Sequence, residues 1–469
     1  MSEPSTGDHV NIVGGGLAGA LLAILLGRQG LRVTLFDRRV DPRTSAVERG
    51  RSINLALAAR GIAALQRAAV FESIRPILIP MRGRMIHDEH GGSELQLYGQ
   101  NEREVIYSVS RGSLNRALIE QAAKLPNIEL RFEQHCLGAR PTYGSLHFED
   151  LRAGHAYEIA LAPTIAADGA GSGIRKSLEQ LGEIEAREEL LDHDYKELEI
   201  PASHARGLDP HALHIWPRGG FMLIALPNPG GSFTATLFLP KHGPDSFAGL
   251  RTRAAVQAFF TRHFPTAVPL LPALLEDFLA NPQGILGTVH CNRWHLGGEL
   301  LLLGDAAHAI VPFHGQGMNC AFEDCTALLD GLKDGHGAAG GWPERFAAFE
   351  RLRRPNTEAI AHMALENYEE MRAAVLAPEY LRSRALALLL ERRHPRRFIP
   401  RYSMVMFHAE IPYAEALRRG SVQQQILSRM DRSGVRADAA DAAERIAAFD
   451  SEIERLLPPV SGSAESAPA

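Results

Sequence analysis

The chain has 469 residues, more than one ordinary hydrophobic core needs, which predicts two or three domains. Its formal net charge is −5 with acids and bases well mixed, so the sequence offers no basic surface for nucleic acid and no polybasic segment for an anionic membrane. The four cysteines form no CxxC pair, and the polar N-terminus does not match a signal peptide. The longest strongly apolar stretch has eleven residues, about half of a membrane span. These features predict a cytoplasmic protein without a membrane partner.

The first predicted unit is a strand, a glycine turn, a helix and a second strand. VNIV at 10–13 runs into GGGLAG, an apolar segment of helical length ends at Gly30, and LRVTLFD follows as a buried strand. Gly14, Gly16 and Gly19 form G-x-G-x-x-G between strand and helix. The first glycine allows a tight turn, the second lets the backbone approach a pyrophosphate, and the third lets helix and strand pack closely. This context predicts a dinucleotide site, with a purely structural glycine turn as the alternative.

An acidic residue ends the second predicted strand. Asp37 lies eighteen residues after Gly19, where a carboxylate would accept the ribose hydroxyls of a dinucleotide. A carboxylate there favours FAD or NAD over a 2′-phosphate, but Arg38 and Arg39 follow directly. The residues alone therefore leave NADP open.

Further along the chain, the pattern alternates between strands and helices. Short alternating runs between 71 and 110 and again over 146–167 predict strands. Residues 190–290 are mostly β-rich and predict a second domain, and after 340 nearly everything is helical in pattern. The terminal PPVSGSAESAPA is too polar to pack and predicts a disordered tail.

Two loops between these elements carry candidate helix caps. SLNRALIEQAAK at 113–124 predicts an amphipathic helix opened by Ser113. ADGAGSGIR at 167–175 places Asp168 after an apolar strand and before a helix. An Asx turn that caps this helix is the plain interpretation, and a cofactor-facing loop is the functional one.

The segment LLLGDAAHAIVPFHGQGMNCAFEDC at 301–325 allows two interpretations. In one, a strand ends at Gly304-Asp305 and a glycine loop opens the next helix to face a flat cofactor. In the other, a metal-dependent hydrolase or zinc module uses four ligands, namely His308, His314, Cys320 and Cys325. Zinc ligands must converge, whereas residues five apart on one helix point in different directions, so we predict no metal site.

The glycine fingerprint, the D-G loop and the G-D loop together resemble the flavoprotein aromatic hydroxylases, in which all three surround one FAD. Five segments narrow the resemblance to the kynurenine 3-monooxygenase family, over residues 10–415: RGRSINLALAARG (49–61), MRGRMIH (81–87), LHIWPRGGFMLIALPN (213–228), GDAAHAIVPFHGQGMN (304–319) and FIPRYSMVMF (398–407). The resemblance implies bound FAD, NADPH as transient co-substrate, dioxygen, and hydroxylation of L-kynurenine to 3-hydroxy-L-kynurenine through a flavin hydroperoxide. This reaction belongs to tryptophan degradation and NAD biosynthesis.

The implied fold is α/β, with a Rossmann-like FAD-binding domain, an inserted β-sheet substrate domain and a C-terminal helical region. The expected boundaries are 1–70, 100–185 and 290–339 for the FAD-binding domain, 71–99 and 186–289 for the substrate domain, 340–458 for the helical region and 459–469 for the disordered tail.

The resemblance assigns cofactor contacts residue by residue. The pyrophosphate and ribose contacts are Gly14, Gly16, Leu17, Ala18, Gly19, Asp37, Arg38 and Arg39. The contacts along the rest of the FAD are Leu55, Ala56, Arg111, Asp168, Asp305, Gly317, Met318 and Asn319. Asp305 is expected at the ribityl chain, and the backbone of 318–319 at the pyrimidine edge of the flavin.

The substrate is expected to need a polar end and an apolar slot. Arg84 is the candidate partner of its carboxylate, and the resemblance adds three residues, Tyr98, Asn367 and Tyr402. Met222, Ile224 and Leu226 recur with period two and share one strand face, so they are candidates for the slot. The other slot candidates are Leu213, Phe238, Pro312, Phe313 and His314, the last with a positioning role. No catalytic side chain beyond the flavin is expected.

Several alternatives stay open at this level. A related hydroxylase could act on another aromatic acid, and the early βαβ unit alone would also allow a flavin-free NAD-dependent dehydrogenase. No second G-x-G-x-x-G follows a strand, so the NADPH docking site is not assigned. Eukaryotic relatives carry a membrane-anchoring helix near the C-terminus, which we do not expect here. The C-terminal helices are candidates for a cap over the substrate site or for a homodimer surface.

Overall fold

A computed structural model describes residues 9–44, 54–333, 341–374 and 377–460. Its strands, in chain order, are β1 (His9–Val13), β2 (Arg32–Asp37), β3 (Asn54–Leu57), β4 (Ile79–Met81), β5 (Gly83–His87), β6 (Ser93–Leu97), β7 (Ile106–Ser110), β8 (Ile128–Phe132), β9 (Gln134–Arg140), β10 (Ser145–Asp150), β11 (His155–Ala160), β12 (Thr164–Ala166), β13 (Ala186–Ile200), β14 (Ala212–Pro217), β15 (Met222–Pro227), β16 (Phe233–Pro240), β17 (Gln283–Cys291), β18 (His295–Leu296) and β19 (Leu300–Leu302).

The helices follow the same order. They are α1 (Leu17–Arg28), α2 (Ala59–Arg67), α3 (Phe71–Ile74), α4 (Arg111–Ala122), α5 (Gly173–Gln180), α6 (Arg253–His263), α7 (Leu274–Ala280), α8 (Asp305–His308), α9 (Gly317–Lys333), α10 (Trp342–Glu369), α11 (Pro378–Arg393), α12 (Arg401–Phe407), α13 (Tyr413–Arg432), α14 (Ala442–Ala447) and α15 (Asp450–Leu456). Residues 370–374 continue α10 as a π-helical turn. Within the described segments, no helix combines the length and apolar character that crossing a bilayer requires.

The first sheet is built on the predicted βαβ unit. Its order is β18-β19-β12-β1-β2-β8, and β1 pairs in parallel with both β12 and β2. Residues 10–13 and 33–37 are buried, as a parallel sheet covered on both faces requires. The carboxyl ends of β1, β2, β12 and β19 therefore meet at one edge, where the glycine turn, Asp37, the D-G loop and the G-D loop come together.

The second sheet has seven strands in the order β17-β13-β16-β15-β14-β5-β6. Strands β14 and β5 run parallel, with Leu213 beside Arg84. The odd-numbered residues of β15 and β16, such as Leu223, Ala225 and Leu237, join a buried cluster with α6 and α7. The even-numbered residues face the other way, toward the C-terminal helices and the cofactor-facing loops.

Two small sheets and the C-terminal helices complete the fold. The sheet β3-β7-β4 brings residues 54–57 to the edge of the large sheet, and β11-β10-β9 packs beside β2. Helices α11 and α13 to α15 share a separate apolar cluster. The predicted fold class, an FAD-binding α/β fold with a β-rich insertion and a helical C-terminal region, is thereby confirmed. The domain boundaries stay a prediction.

The predicted start of α4 needs correction. This helix begins at Arg111, and the Ser110 hydroxyl accepts a hydrogen bond from the Ser113 amide, so Ser113 lies inside the helix. In the D-G loop, Ser172 caps α5 by accepting from the amide of Arg175 at 2.9 Å. Asp168 also accepts from the Ile174 amide, at 3.4 Å, so both side chains bind free N–H groups at the start of this helix. The predicted disordered tail lies, from residue 461 onward, outside the described residues.

Candidate functional site

A single large cavity of about 880 Å³ connects the first sheet to the second. It is lined by the loops at the carboxyl edge of the parallel sheet, by the even-numbered face of β15 and β16, and by residues of α12. All the predicted site residues line this cavity except Gly19, Asn319 and Asn367. Residues predicted separately for a cofactor and for a substrate therefore share one space.

Two of these three exceptions, Gly19 and Asn319, support residues that line the cavity. A Cβ on Gly19 would lie 1.9 Å from the Gly14 carbonyl oxygen, so this glycine allows helix and strand to pack, as predicted. The Asn319 amide group accepts from Ala58 N at 2.9 Å and donates to Ala56 O at 2.8 Å. Its side chain thus holds the backbone of a cavity-lining segment.

The third exception is Asn367, whose substrate contact stays a prediction. The Asn367 amide donates to the carbonyl oxygen of Phe313 at 2.6 Å and lies 3.2 Å from the Met371 sulfur. The amide is therefore engaged with the loop that floors the slot. In this structure Asn367 positions Phe313 and does not itself line the cavity.

The glycine turn is shaped for an anionic group at the start of α1. Gly14 has φ +105°, and a Cβ there would lie 2.4 Å from the Ala167 carbonyl oxygen, so only glycine fits. Gly16 precedes α1 without a side-chain cap, and a Cβ there would meet no atom within 4 Å. The free N–H groups of the first helical turn therefore face open space in the cavity, which suits a pyrophosphate.

The carboxylate after β2 is held in place for a ribose. Asp37 accepts a hydrogen bond from the Gly15 amide at 2.8 Å and from the Arg39 guanidinium at 2.7 Å. Both contacts fall on Oδ2, while Oδ1 accepts from the backbone amide and the Nε of Arg39. Together with the glycine cradle, this arrangement fits the adenosine end of a dinucleotide.

A buried arginine ties the D-G and G-D loops together. Arg175 donates to the carbonyl oxygens of Ala170 at 2.5 Å and Ala306 at 3.0 Å. Asp168 lines the cavity with one buried oxygen that has no partner among the described residues, and burial raises the pKa of its carboxyl group. An unpaired buried oxygen at a cavity wall is expected where a bound molecule supplies the donor. Arg175 was not among the predicted site residues, because no local pattern shows that its side chain reaches Ala306.

Strands β15 and β16 form an apolar wall of the cavity that contains one polar residue. Met222, Ile224 and Leu226 line the cavity from β15, as their spacing predicted. From β16 the lining residues are Phe238 and Thr236. Thr236 was not predicted, because a threonine in a strand is ordinary and only the tertiary fold shows what it faces.

Beyond the wall lies a buried cluster around a guanidinium. Arg84 Nη1 is 3.6 Å from Glu370 Oε1, and the guanidinium carbon is 4.7 Å from the centre of the Tyr402 ring. Tyr98 and Tyr402 stack with ring centres 5.6 Å apart. Arg84 Nε and the Tyr98 hydroxyl have no hydrogen-bond partner among the described residues. Buried donors without acceptors suit a carboxylate-bearing ligand.

Electrostatics keeps this cluster cationic. Burial works against the charged guanidinium, but Tyr402, Tyr380 and Glu370 act in the opposite direction and the pKa of Arg84 is raised. Burial also raises the pKa of the Tyr98 hydroxyl well above its usual value. Arg84 is therefore a cation and Tyr98 a neutral hydrogen-bond donor near neutral pH.

Two residues of this cluster were missed by sequence reasoning. Glu370 opens the π-helical turn after α10, and the Tyr380 hydroxyl donates to it at 2.9 Å. No spacing in the sequence marks them, since they reach Arg84 from a helical segment far along the chain. A π-helical turn often accompanies a functional site, but its position is visible only in the structure.

His314 lies between the cluster and the loop that floors the slot. Its ring stacks on Tyr402 with centres 5.4 Å apart, and its Nδ1 has no partner among the described residues. Burial, reinforced by nearby arginines, lowers the pKa of His314 to about 3. A neutral imidazole packed in this way fits the positioning role expected for it.

Of the four ligands in the alternative metal interpretation, His308 and Cys320 lie in one buried cluster, with Asp324 as its third member. His308 Nε2 lies 2.7 Å from an Asp324 oxygen, and Cys320 is near both. The Arg353 guanidinium enters this cluster, 2.6 Å from Asp324 and 3.6 Å from the Cys320 sulfur. In the described part of the chain these groups make a buried ion-pair network centred on Asp324.

Comparison with known proteins decides the family. Residues 8–362 match the model of the FAD binding domain family. Kynurenine 3-monooxygenase of Stenotrophomonas maltophilia (strain K279a) is 46% identical over 97% of this chain and 98% of its own length. The enzyme of that name from Xanthomonas euvesicatoria pv. vesicatoria (strain 85-10) is also 46% identical, over 98% of this chain and 100% of its own.

The chain belongs to the kynurenine 3-monooxygenase family. The cradle at Gly14 and Gly16 therefore lies in an FAD-binding domain. Solved structures of more distant proteins share this family's fold. Tetrameric 2-methyl-3-hydroxypyridine-5-carboxylic acid oxygenase has a TM-score of 0.64 at 19% identity, covering 81% of this chain and 96% of its own. PqsL of P. aeruginosa, solved with 2-aminobenzoylacetate, has a TM-score of 0.62 at 20% identity, covering 78% of this chain and 97% of its own.

Proposed function

We propose that this chain hydroxylates L-kynurenine to 3-hydroxy-L-kynurenine, using bound FAD, NADPH and dioxygen. The observation that carries the proposal is the cavity itself, which joins a dinucleotide cradle to a buried arginine and tyrosine cluster across an apolar wall. Relatives 46% identical over nearly the whole chain carry the name of this activity, which supports the same assignment.

The cofactor is held mainly by backbone groups. The N–H groups at the start of α1 bind the pyrophosphate, Asp37 accepts the adenosine ribose hydroxyls, and Asp305 holds the ribityl chain. The start of α9, at 317–319, faces the flavin ring, and its partial positive charge favours the reduced, anionic form. When bound, FAD accepts electrons from NADPH and activates dioxygen, which protein side chains do not do.

The polar cluster recognises the amino-acid end of the substrate. The substrate's carboxylate pairs with Arg84 and accepts a hydrogen bond from the Tyr98 hydroxyl. Both unpaired donors, Arg84 Nε and the Tyr98 hydroxyl, then have an acceptor. Glu370 supplies a negative charge 3.6 Å from that guanidinium, where the substrate's ammonium group can meet it. A substrate with a carboxylate but no ammonium would place a second negative charge beside Glu370 without a positive one, which favours an amino acid over other aromatic acids.

The apolar wall excludes water from the substrate's aromatic ring and holds the ring in place. Met222, Ile224, Leu226 and Phe238 exclude water beside the flavin, which protects reactive oxygen species from premature release. Phe313 closes the slot from the other side, where the Tyr368 ring stacks on it at 3.8 Å and Asn367 holds its carbonyl. His314 stays neutral and braces Tyr402, so no acid or base role is assigned to it.

The test is a substrate-dependent oxidation assay on the purified protein. The protein should be yellow with bound FAD, and L-kynurenine should accelerate NADPH oxidation while 3-hydroxykynurenine accumulates, as measured by liquid chromatography. Peroxide as the sole product would contradict the hydroxylase function. Faster oxidation with an aromatic acid lacking an ammonium group would favour the related-hydroxylase alternative, and a colourless, active protein would favour a flavin-free dehydrogenase.

The finer assignments of compartment and assembly are also proposals. We propose a cytoplasmic enzyme, in keeping with four free cysteines that are all buried. We further propose a homodimer that uses the C-terminal helices as its surface. Light scattering that gives the mass of one chain at assay concentrations would contradict the dimer.

A further inference from the structure

The apolar wall of the slot contains a hydroxyl group with no partner. Among the described residues of β14 to β16, the side chains that line the cavity are Leu213, Met222, Ile224, Leu226, Thr236 and Phe238, of which only Thr236 is polar. Its neighbours Ala235 and Leu237 point into the opposite core, so the strand alternation aims Thr236 at the cavity. Thr236 is 1% exposed, and within the described chain its hydroxyl makes no hydrogen bond.

A threonine in a strand does not by itself indicate a ligand contact, because β-branched residues are common in strands. The contrast with Thr234, two residues earlier on the same face, is informative. The Thr234 hydroxyl accepts a hydrogen bond from Asn228 Nδ2 at 3.1 Å and does not line the cavity. A hydroxyl left unpaired on an apolar cavity wall can form a hydrogen bond worth about 1 kcal/mol with a ligand that covers the wall, so a donor on the ligand is expected there.

Sheet register places Thr236 at the far end of the slot from Arg84. Thr236 pairs with Ile224, and the sheet order runs β16-β15-β14-β5, so three strand spacings separate its strand from that of Arg84. At about 4.8 Å per spacing, the two backbones lie about 14 Å apart. The long Arg84 side chain shortens this distance from one side. A ligand whose carboxylate meets Arg84 therefore directs the other end of its side chain toward Thr236.

The proposed substrate has a polar group at that end. L-Kynurenine carries an amine on the ring carbon next to its ketone, and one amine N–H bonds internally to the ketone oxygen. The second N–H needs an acceptor once the ring is buried in an apolar slot. Main-chain groups of the central strand β16 are already paired with β13 and β15, so on this wall the Thr236 hydroxyl is the acceptor that the lining side chains offer.

Building on the proposed function, we propose that Thr236 is a specificity-determining residue whose hydroxyl oxygen accepts the outer N–H of the ring amine. This bond selects rings that carry an amine beside the ketone. It also fixes which edge of the ring faces the flavin, so that the carbon next to the amine is presented for hydroxylation. Because the amine donates and does not accept, its lone pair stays conjugated with the ring and keeps that carbon electron-rich.

The test compares two ligands on the FAD-loaded enzyme. L-Kynurenine and its analogue without the ring amine, β-benzoyl-L-alanine, are titrated into wild type, Thr236→Val and Thr236→Ser, with dissociation constants measured from the flavin absorbance change. Thr236→Val keeps the shape of the side chain and removes the acceptor. It should raise the dissociation constant of L-kynurenine about tenfold and change that of β-benzoyl-L-alanine by no more than about twofold. Thr236→Ser should restore binding close to wild type, and peroxide should rise relative to 3-hydroxykynurenine only in the valine variant.

Thr234→Val is the matched control, because it removes a hydroxyl from the same face of the same strand outside the cavity, and it should not discriminate between the ligands. Equal weakening of both ligands by Thr236→Val, or of neither, would overturn the role of Thr236 while leaving the hydroxylase assignment intact. A wild-type enzyme that responds to neither ligand would overturn the proposed function and this inference together.

Discussion

The sharpest prediction concerns Arg84, a buried cation that the free protein pairs only loosely. Its nearest carboxylate oxygen, on Glu370, is 3.6 Å away, and its Nε has no partner among the described residues. Arg84→Met keeps most of the aliphatic stem and removes the charge. Truncating one partner of a buried charge pair costs about 2–5 kcal/mol, so L-kynurenine should bind at least about 30-fold more weakly. FAD content should not change, since Arg84 lies beyond the apolar wall.

The assay is a titration of the FAD-loaded variant with L-kynurenine, followed by flavin absorbance and by stimulated NADPH oxidation. Arg82→Met is the matched control, because Arg82 lies two residues earlier, has a side chain 56% exposed and pairs with Asp209 on the surface. We expect the control to bind within about threefold of wild type, since exposed ion pairs contribute little. Binding by Arg84→Met within threefold of wild type would refute the reasoning.

Three further predictions test the cofactor loops and the buried histidine. Gly14→Ala puts a Cβ 2.4 Å from a carbonyl oxygen at φ +105°, so it should purify without FAD, as measured by flavin absorbance. Tyr413→Phe removes the 2.7 Å hydrogen bond that Tyr413 donates to the amide oxygen of Gln316, the residue before α9. The buried oxygen is then unpaired, so the affinity for FAD should fall about tenfold, as measured by flavin fluorescence. His314 has a pKa lowered from 6.5 to about 3, so the unfolded state binds the proton more tightly and stability present above pH 6.5 is lost as pH falls toward 3. The free energy of unfolding should fall by about 2 kcal/mol between neutral pH and pH 5 through this group. His314→Asn should reduce this pH dependence, as measured by urea denaturation.

Controls separate these effects from general damage. Gly182 has φ +73° with open space around it, so Gly182→Ala should lower stability slightly without loss of FAD. An FAD-loaded Gly14→Ala protein would contradict the cradle. Unchanged FAD affinity in Tyr413→Phe would show that the C-terminal helices do not support the flavin loop. An equally steep acid dependence in His314→Asn would assign the acid sensitivity to other histidines, such as the half-buried His87, whose pKa is lowered to about 4 by desolvation.

The cofactor side of the site was predictable because its chemistry depends on local backbone geometry. Gly14 must adopt a positive φ and Gly19 must lack a side chain, and both demands appear as glycines at fixed spacing. The period-two run of Met222, Ile224 and Leu226 likewise reflects strand geometry, so it placed three residues on one cavity wall.

The polar end was less predictable because its contacts join distant parts of the chain. Glu370 and Tyr380 come from the segment after α10, and neither has a local pattern that ties it to Arg84. Asn367 was expected at the substrate, but a side-chain amide bonds to whatever carbonyl the fold brings nearest, and here that is Phe313.

The amino-acid sequence by itself therefore determined the class of cofactor, the βαβ unit that holds it and the face of β15 that lines the slot. These properties depend on dihedral angles and side-chain periodicity within a few residues. Only the tertiary structure decided which donors near Arg84 are left unpaired, that Arg175 joins two cofactor loops, and that the hydroxyl of Thr236 faces the cavity. Those properties depend on which groups meet after the chain has packed, because burial decides whether an unpaired polar atom costs free energy or is simply hydrated.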